Sequence, residues 1–509
     1  MTPPSSLDLP WWQLGAAAIA LAAAGLALYR LTLDPLARFP GPRLAAVTRW
    51  YEAYYDVVLG GQYTFKIRQM HKQYGPVIRI SPYELHVDDA AFFDQLYRQD
   101  GRWDKYDWAG RGWGVPSSTI GTTDHYLHKA RRQPLNPFFS KAKVASRQHH
   151  IRQHVLKLCH RLSAAAASGK GVNLGAAASA VARDVANDFI LGKSYGALDR
   201  HDLQVAAVPK THGSGTMWRV GKHFPWVPPL VKSIPRCLSK RVAGDKMQDF
   251  YRHIQESLKD TQDLIEAANA PEPDPDAPPT IVGAILESKL PPSDKTLPRV
   301  FQEVATVAGA GFETSAGALR LILFHVYSKP EILQKLRAEL SSAGVDSADE
   351  LELRTLEQLP YLTAVITEGL RLSPAIATRM ARIAPDRDIA YDKWRIPAGT
   401  PVGMTVVLMH TDERWYTDPD RFEPERWLHF EARRQTEKAF APFSRGTRSC
   451  VGMHLAWAEM YLVLAALVLR FDFTFPDASA ADFECERDQF AIGTRSKGVL
   501  NALLTPYRG

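Results

Sequence analysis

Phe443-Ser444-Arg445-Gly446-Thr447-Arg448-Ser449-Cys450-Val451-Gly452 sets a single cysteine at the mouth of an apolar helical run, 453–470, and surrounds it with small and basic residues. Gly446 and Gly452 leave room for tight turns and for a flat ring to approach the backbone. A cysteine binds metal as its thiolate, and the free amides at the start of the following helix favour that ion. Arg448 stands two residues before the cysteine, where it can reach an anionic substituent on the same ring. A lone cysteine ahead of a helix is more often a buried structural residue. The spacing F-x-x-G-x-R-x-C-x-G outweighs that reading and makes Cys450 a candidate metal ligand.

Upstream, Ala310-Gly311-Phe312-Glu313-Thr314-Ser315 lies inside a long helical pattern that starts near Pro298 and stops before Pro330. Glycine and threonine both weaken a helix interior, so their presence calls for a compensating reason. A close contact with a second helix is one such reason. Proton delivery is the other: splitting dioxygen takes protons in a site closed to water, where Thr314 can hold water and Glu313 can feed protons from outside. Glu368-Gly369-Leu370-Arg371 sits in a helical run, 359–372, with its carboxylate and guanidinium on one face. Phe422-Glu423-Pro424-Glu425-Arg426-Trp427 follows about fifty residues later. His128 and Arg132 stand at i and i+4, so both can reach one carboxylate, a group costly to bury without partners.

These segments, in this order and at these separations, resemble the cytochrome P-450 superfamily, and the likeness covers nearly the whole chain after its first thirty or so residues. The resemblance implies a mainly α cytochrome P-450 fold with a small β-rich lobe. It implies haem b (iron protoporphyrin IX) between the long helix and the Cys450 loop, with Cys450 as axial ligand to the iron. Phe443 and Arg448 belong to that loop, and His128 with Arg132 occupies the place of the family's W/H-x-x-x-R pair. Arg382 sits where the family has a further propionate arginine, although the usual preceding proline is here Ala381 and Arg379 lies nearby. Glu368, Arg371 and Arg426 are expected to form a structural network, and Thr314 and Glu313 to be catalytic. The distal pocket is expected from 103–120, the long helix near Ala310, 375–378 and 490–494.

Composition sets bounds on this reading. A net charge of +7 over 509 residues, without dense basic runs, does not suit nucleic-acid binding. Lys129, Arg131, Arg132, Lys141, Lys143 and Arg147 form a local excess that suits either a solvated helix face or an acidic protein partner. Cys159, Cys237, Cys450 and Cys485 show no paired framework and no zinc spacing, which fits a reducing compartment. From Trp11 to Tyr29 the chain carries no charge, enough to cross a bilayer with Trp11 and Trp12 at one interface. Only Asp8 precedes this run, whereas Arg30, Arg38 and Arg43 follow it, so the N-terminus is expected in the lumen and the body in the cytosol. A cleaved signal peptide competes, with alanines at 22–24 but no basic start.

The expected organisation is a membrane anchor, 1–33, and a haem-thiolate monooxygenase domain, 34–509, hinged at Phe39-Pro40-Gly41-Pro42. Val77–Ile80 and Glu84–Val87 alternate as a hairpin, and the proline-rich 267–280 reads as a surface loop. The resemblance implies insertion of one atom of dioxygen into a small apolar substrate at the endoplasmic reticulum membrane. No nucleotide-binding glycine loop follows a strand, so electrons come from a separate NADPH-cytochrome P-450 reductase, with cytochrome b5 as an optional second donor. Thr48-Arg49-Trp50-Tyr51-Glu52-Ala53-Tyr54-Tyr55 and Pro134-Leu135-Asn136-Pro137-Phe138-Phe139-Ser140 look similar to fungal trichodiene-oxygenase-type enzymes. That likeness implies secondary metabolism, with a terpenoid or polyketide-like substrate. Two rivals stand beside it: a reductase-independent haem-thiolate isomerase or dehydratase, which needs no proton relay, and a non-catalytic haem sensor.

Overall fold

The N-terminal apolar run forms α1 (Trp11–Thr32), and none of its residues is buried. In the computed structural model, which describes residues 10–201, 203, 207–233, 254–272 and 274–508, the end of this helix is fixed to the body. The Arg30 guanidinium donates to the Val47 carbonyl (2.6 Å) and the Tyr83 hydroxyl (2.6 Å), and the Arg30 carbonyl accepts from Arg79 (2.7 Å). The stiff Pro40-Gly41-Pro42 turn expected between anchor and body is docked as well. Phe39 stacks on Trp394 at 5.0 Å, the Pro40 carbonyl accepts from the Arg79 amide at 2.7 Å, and a Cβ on Gly41 would lie 2.5 Å from the Arg79 carbonyl oxygen. Asp8, Cys237 and Pro273 lie outside the described residues.

Six further helices position the site: α2 (His125–Arg132), α3 (Leu174–Leu191), α4 (Ala207–His223), α5 (Leu297–Ser328), α6 (Pro360–Leu372) and α7 (Met453–Arg470). The Asp124 carboxylate caps α2 by accepting from the Leu127 amide, and Pro298 opens α5, where a missing N–H costs nothing. α5 is the central element. Alanine-rich α3 packs along it so closely that a Cβ on Gly311 would come within 3.0 Å of the Ala186 methyl. Gly311 therefore serves the helix contact weighed as an alternative for this segment. Like α1, α5 and α7 are long and apolar enough to cross a membrane, but 56% and 67% of their apolar windows are buried, so among the described residues only α1 offers a free span.

The small β-rich lobe is a five-stranded sheet. β1 (Val77–Arg79), β2 (Leu85–Val87), β3 (Asp104–Lys105), β4 (Arg382–Ile383) and β5 (Val402–Gly403) lie in the order β1-β2-β5-β4-β3. The expected hairpin is β1 with β2, in register Val77 to Val87. The proline-rich loop begins later than the composition suggests, since 254–268 is helical, and it ends at Thr280, whose hydroxyl caps Ile281–Leu286.

Glu368 and Arg371 on α6 are both fully buried and paired by two contacts of 2.8 Å. Arg426 donates to the same carboxylate at 3.0 Å, as do Trp427 Nε1 and the Glu423 amide at 2.9 Å each. Every lone pair facing inward is thereby used, the condition under which a buried carboxylate is tolerated. The basic excess at 129–147 disperses instead of forming a patch. Arg131 pairs with Asp294, Arg132 turns toward the Cys450 loop, Lys141 pairs with Glu357 and Arg147 lies against the Phe189 ring.

Candidate active site

The cysteine loop closes on itself. The Phe443 carbonyl accepts from the Cys450 amide at 2.9 Å, and Phe443 packs toward Trp457 with ring centres 6.3 Å apart. Gly446 has φ of +75°, and a Cβ there would meet the Arg98 carbonyl oxygen at 2.6 Å, so backbone conformation and space both demand glycine. A Cβ on Gly452 would meet no atom within 4 Å. That open face beside Cys450 is the clearance a flat macrocycle needs. Cys450 is reachable by solvent, yet desolvation by its surroundings raises the thiol pKa, against the opposing pull of the Gly452 amide and Arg132.

Around this loop lies a set of buried and half-buried basic side chains. Arg132 donates to the Ser449 carbonyl (2.9 Å), Arg448 to the Thr122 and Thr123 carbonyls (2.7 Å each) and Arg382 to the Met380 carbonyl (2.9 Å). His128 is buried beside them. Lys105 on β3 joins this set, facing Arg382 in the strand register and donating to the Ile120 carbonyl at 2.7 Å. All these contacts go to neutral oxygens, and none of Arg132, Arg382, Arg448 and Lys105 makes an ion pair among the described residues.

The electrostatic result is consistent across the set. Burial, followed by the Arg448, Arg132, Arg382 and Lys105 charges, pushes His128 down to about 2. Burial and then Arg448 and Arg382 push Lys105 down to about 7, and burial and Arg382 push Arg448 down to about 9. Arg448 Nε is buried without a hydrogen-bond partner. Buried positive charge without compensation is costly, and a dianionic ligand relieves it. Haem b, which carries two carboxylates, fits this donor set and the thiol and open glycine beside it.

α5 also borders a cavity of about 90 Å³ whose wall includes Trp113, Thr314, Gly317, Ser373, Gln489 and Ile492. The pocket segments expected from sequence meet here, with Thr314 and Gly317 in place of Ala310. Ala375 and Phe490 both have positive φ, 63° and 72°, in the two chain segments that pair at this wall through Ile492 N to Ala375 O (2.9 Å) and Ala377 N to Phe490 O (2.8 Å). Backbone strain of this kind in non-glycine residues costs of order 1–3 kcal/mol each and collects at functional sites.

The Thr314 hydroxyl donates to the Ala310 carbonyl at 2.8 Å without breaking the helix. Glu313 lies in the same wall, and its carboxylate accepts from Arg320 (2.9 Å) and Ser179 (3.0 Å), with Arg183 at 3.7 Å. Burial alone would raise its pKa, but Arg320 first and then Arg183 and Ser179 outweigh that and hold it below the usual carboxylate range. Arg320 stands two turns after Glu313, a spacing that could have revealed the pair. Lys105 could not be found that way, because a two-residue strand has no periodicity to read.

Comparison with known proteins agrees with this arrangement. The family model described as Cytochrome P450 matches residues 50–500. Cytochrome P450 monooxygenase tpcC of Cochliobolus heterostrophus is 41% identical, the match covering 87% of this chain and 85% of the relative. Tryptophan 6-hydroxylase fscE of Fusarium equiseti is 39% identical over 93% of each, and cytochrome P450 monooxygenase TRI4 of Fusarium sporotrichioides is 33% identical over 90% of this chain and 87% of the relative. A thiol loop flanked by arginines without ion pairs thus sits in a sequence that aligns over most of its length with fungal oxygenases, and the chain belongs to the cytochrome P450 family of monooxygenases.

Proposed function

We propose that this chain is a membrane-anchored, haem-b-dependent monooxygenase that oxidises an apolar small molecule of secondary metabolism with electrons from NADPH-cytochrome P-450 reductase. The observation that carries this reading is the cluster of Arg132, Arg382, Arg448 and Lys105, with a neutral His128 among them, which makes no ion pair among the described residues and adjoins the Cys450 loop. Haem with a thiolate ligand supplies dioxygen binding and O–O cleavage. Arg132, Arg382, Arg448 and Lys105 would hold its carboxylates, with His128 beside them, and Cys450 would provide the thiolate.

Thr314 holds water at the reacting side. Glu313 orients that water as a carboxylate, and it can pass a proton inward only when its clamp with Arg320 opens. Retention of this pair argues against an isomerase or dehydratase, whose chemistry uses no relay. The cavity joins aromatic Trp113 to polar Ser373 and Gln489, which suits a terpenoid or polyketide-like skeleton bearing oxygen functions. Relatives bearing the names tryptophan 6-hydroxylase and conidiogenone synthase show how far substrates spread at this level of identity.

Residues 1–33 act as the anchor, with α1 crossing the endoplasmic reticulum membrane and residues 34–509 facing the cytosol. Leu44, Trp50, Tyr54, Val58 and Trp226 are exposed near its end, and they rest on the bilayer surface. Two measurements test the proposal. Replacing Cys450 by Ala abolishes the red-shifted Soret band of the ferrous carbonyl, and an unchanged band removes Cys450 as ligand. Product formation requires reductase and NADPH, and turnover without reductase overturns the monooxygenase reading.

A further inference from the structure

The cavity beside α5 has a cation in its wall, Arg320, whose hydrogen-bonding capacity is not used up. Arg320 and Ser373, at 8% and 4% exposure, both line the cavity, as does Gly317. A Cβ on Gly317 would lie 3.8 Å from Arg320 Nη2 and 3.8 Å from Ser373 Oγ. The two polar atoms therefore converge on the space that this glycine leaves open.

Arg320 is held from behind. Its Nη1 donates to Ser179 Oγ at 2.9 Å and to the Gly175 carbonyl at 3.4 Å, both on α3, and one Nη2 proton goes to Glu313 at 2.9 Å. A guanidinium has five donor protons. These contacts leave the Nε proton and the second Nη2 proton without an acceptor among the described residues, and the Ser373 hydroxyl has no hydrogen bond there either. Glu313 does not make up the difference, because its other oxygen accepts from Ser179 at 3.0 Å. A guanidinium with open donors in a desolvated wall favours an anion, and a planar carboxylate matches it well. Seated over Gly317, a carboxylate can accept from Arg320 Nη2 with one oxygen and from Ser373 Oγ with the other. The Glu313 carboxylate bound to the same nitrogen disfavours a phosphate dianion, so a single negative charge suits the site. Trp113, Phe483, Ala491 and Ile492 line the same cavity and suit an apolar remainder.

We propose that Arg320 and Ser373 form a carboxylate-binding subsite of the substrate cavity, so that the substrate is an apolar skeleton carrying one carboxylate. Gly317 is one turn after Thr314 on the same face of α5, so an acid held there is tethered beside the reacting side and its anchor selects which carbon is presented. The inference deepens the function proposed above and rests on the role given there to Thr314.

The test uses the haem-loaded, full-length protein and phenylalkanoates of graded chain length, each beside the phenylalkanol of equal length. Binding is read by equilibrium dialysis, which needs no turnover, and by ferric Soret difference spectra. At neutral pH the best acid should bind about tenfold or more tightly than its alcohol, the order of gain expected for a hydrogen bond between charged partners. Arg320→Met should erase that preference, and Ser373→Ala should reduce it and spread oxidation over more than one carbon. Gly317→Val fills the space over the glycine, leaves the Glu313 clamp in place and should also erase the preference, so it decides the matter if Arg320→Met does not hold haem. A series in which no acid outbinds its alcohol, or an Arg320→Met protein that keeps the preference, overturns the proposal. Absence of the preference with reductase-dependent NADPH consumption intact sinks this inference alone. A clear preference without any reductase-dependent consumption supports the subsite and sinks the monooxygenase reading instead.

Discussion

At Lys105 a buried ammonium faces Arg382 and Arg448 with only a carbonyl for company, and its titration links the site to folding. Its folded pKa is about 7 against 10.5 for an ordinary lysine. Between those values the unfolded chain binds the proton and the folded chain does not, so stability rises with pH across that window, and the penalty is complete below about 7. Anionic haem carboxylates raise the folded pKa and shrink the penalty. Lys105→Met in haem-stripped protein should therefore move the urea midpoint up at neutral pH and change it little near pH 10.5, while the loaded variant should lose haem faster to a scavenging globin. A midpoint unaffected at neutral pH would remove Lys105 from the cation set. His128, Arg132 and Arg448 were legible because spacing and motif singled them out. Lys105 was not, because its meaning comes from a strand pairing with a residue 277 positions away.

Elements with a long repeat were read from sequence nearly to their ends. The stretch expected from near Pro298 to before Pro330 is α5, Leu297–Ser328, because proline opens a helix well and the next proline closes it. The β1–β2 hairpin followed from alternation about Ser81-Pro82. Tertiary docking was not legible: nothing in Pro40-Gly41-Pro42 announces that Gly41 must lie against the Arg79 carbonyl. That docking fixes where α1 leaves the body, next to an apolar surface built from two distant segments, with Trp50 against Phe224 at 5.7 Å and Phe224 against Trp226 at 6.2 Å. Exposed tryptophans of this kind partition to the membrane interface. Removal of residues 1–33 should leave the protein partly membrane-bound after a high-salt wash, and adding Trp50→Ser with Trp226→Ser should shift it to the soluble fraction in a flotation assay. Full release by the truncation alone would confine membrane binding to α1.

At the scale of the molecule, buried ionic networks hold the described parts in place, and of the two that join the most distant segments one has a sequence signature. The Glu368 network announces itself as E-x-x-R followed by F-x-P-E-R-W. The other joins segments far apart in the chain. Lys222 at the end of α4 donates to Asp56 at 2.6 Å and Glu52 at 3.1 Å, Arg379 donates to Glu52 at 2.9 Å and to Glu84 at 2.8 and 2.9 Å, and His223 contacts Asp56 at 3.0 Å. Glu52, Asp56 and His223 are close enough together to resemble a metal site, but the Lys222 ammonium already supplies the positive charge there. Arg379 follows directly on the 375–378 segment beside the distal cavity, so this network ties α4 and the 49–58 stretch to that wall. Burial opposes ionisation of Glu52, yet Arg379 and then Lys222 hold its pKa well below the usual range. With a depressed folded pKa, the stabilisation is present above about 4.5 and is lost as pH falls through the folded value. Lys222→Met keeps the volume but leaves Asp56 with His223 alone and Glu52 dependent on Arg379, and breaking a buried network of this kind should cost about 3 kcal/mol at neutral pH. The deficit should narrow under acid conditions, where the Asp56 carboxyl of the variant takes up a proton. Melting temperatures by circular dichroism at neutral and acid pH measure both effects. A variant as stable as the parent at neutral pH would mean that α4 is held by its apolar contacts, with Trp218 foremost, and not by this charge network.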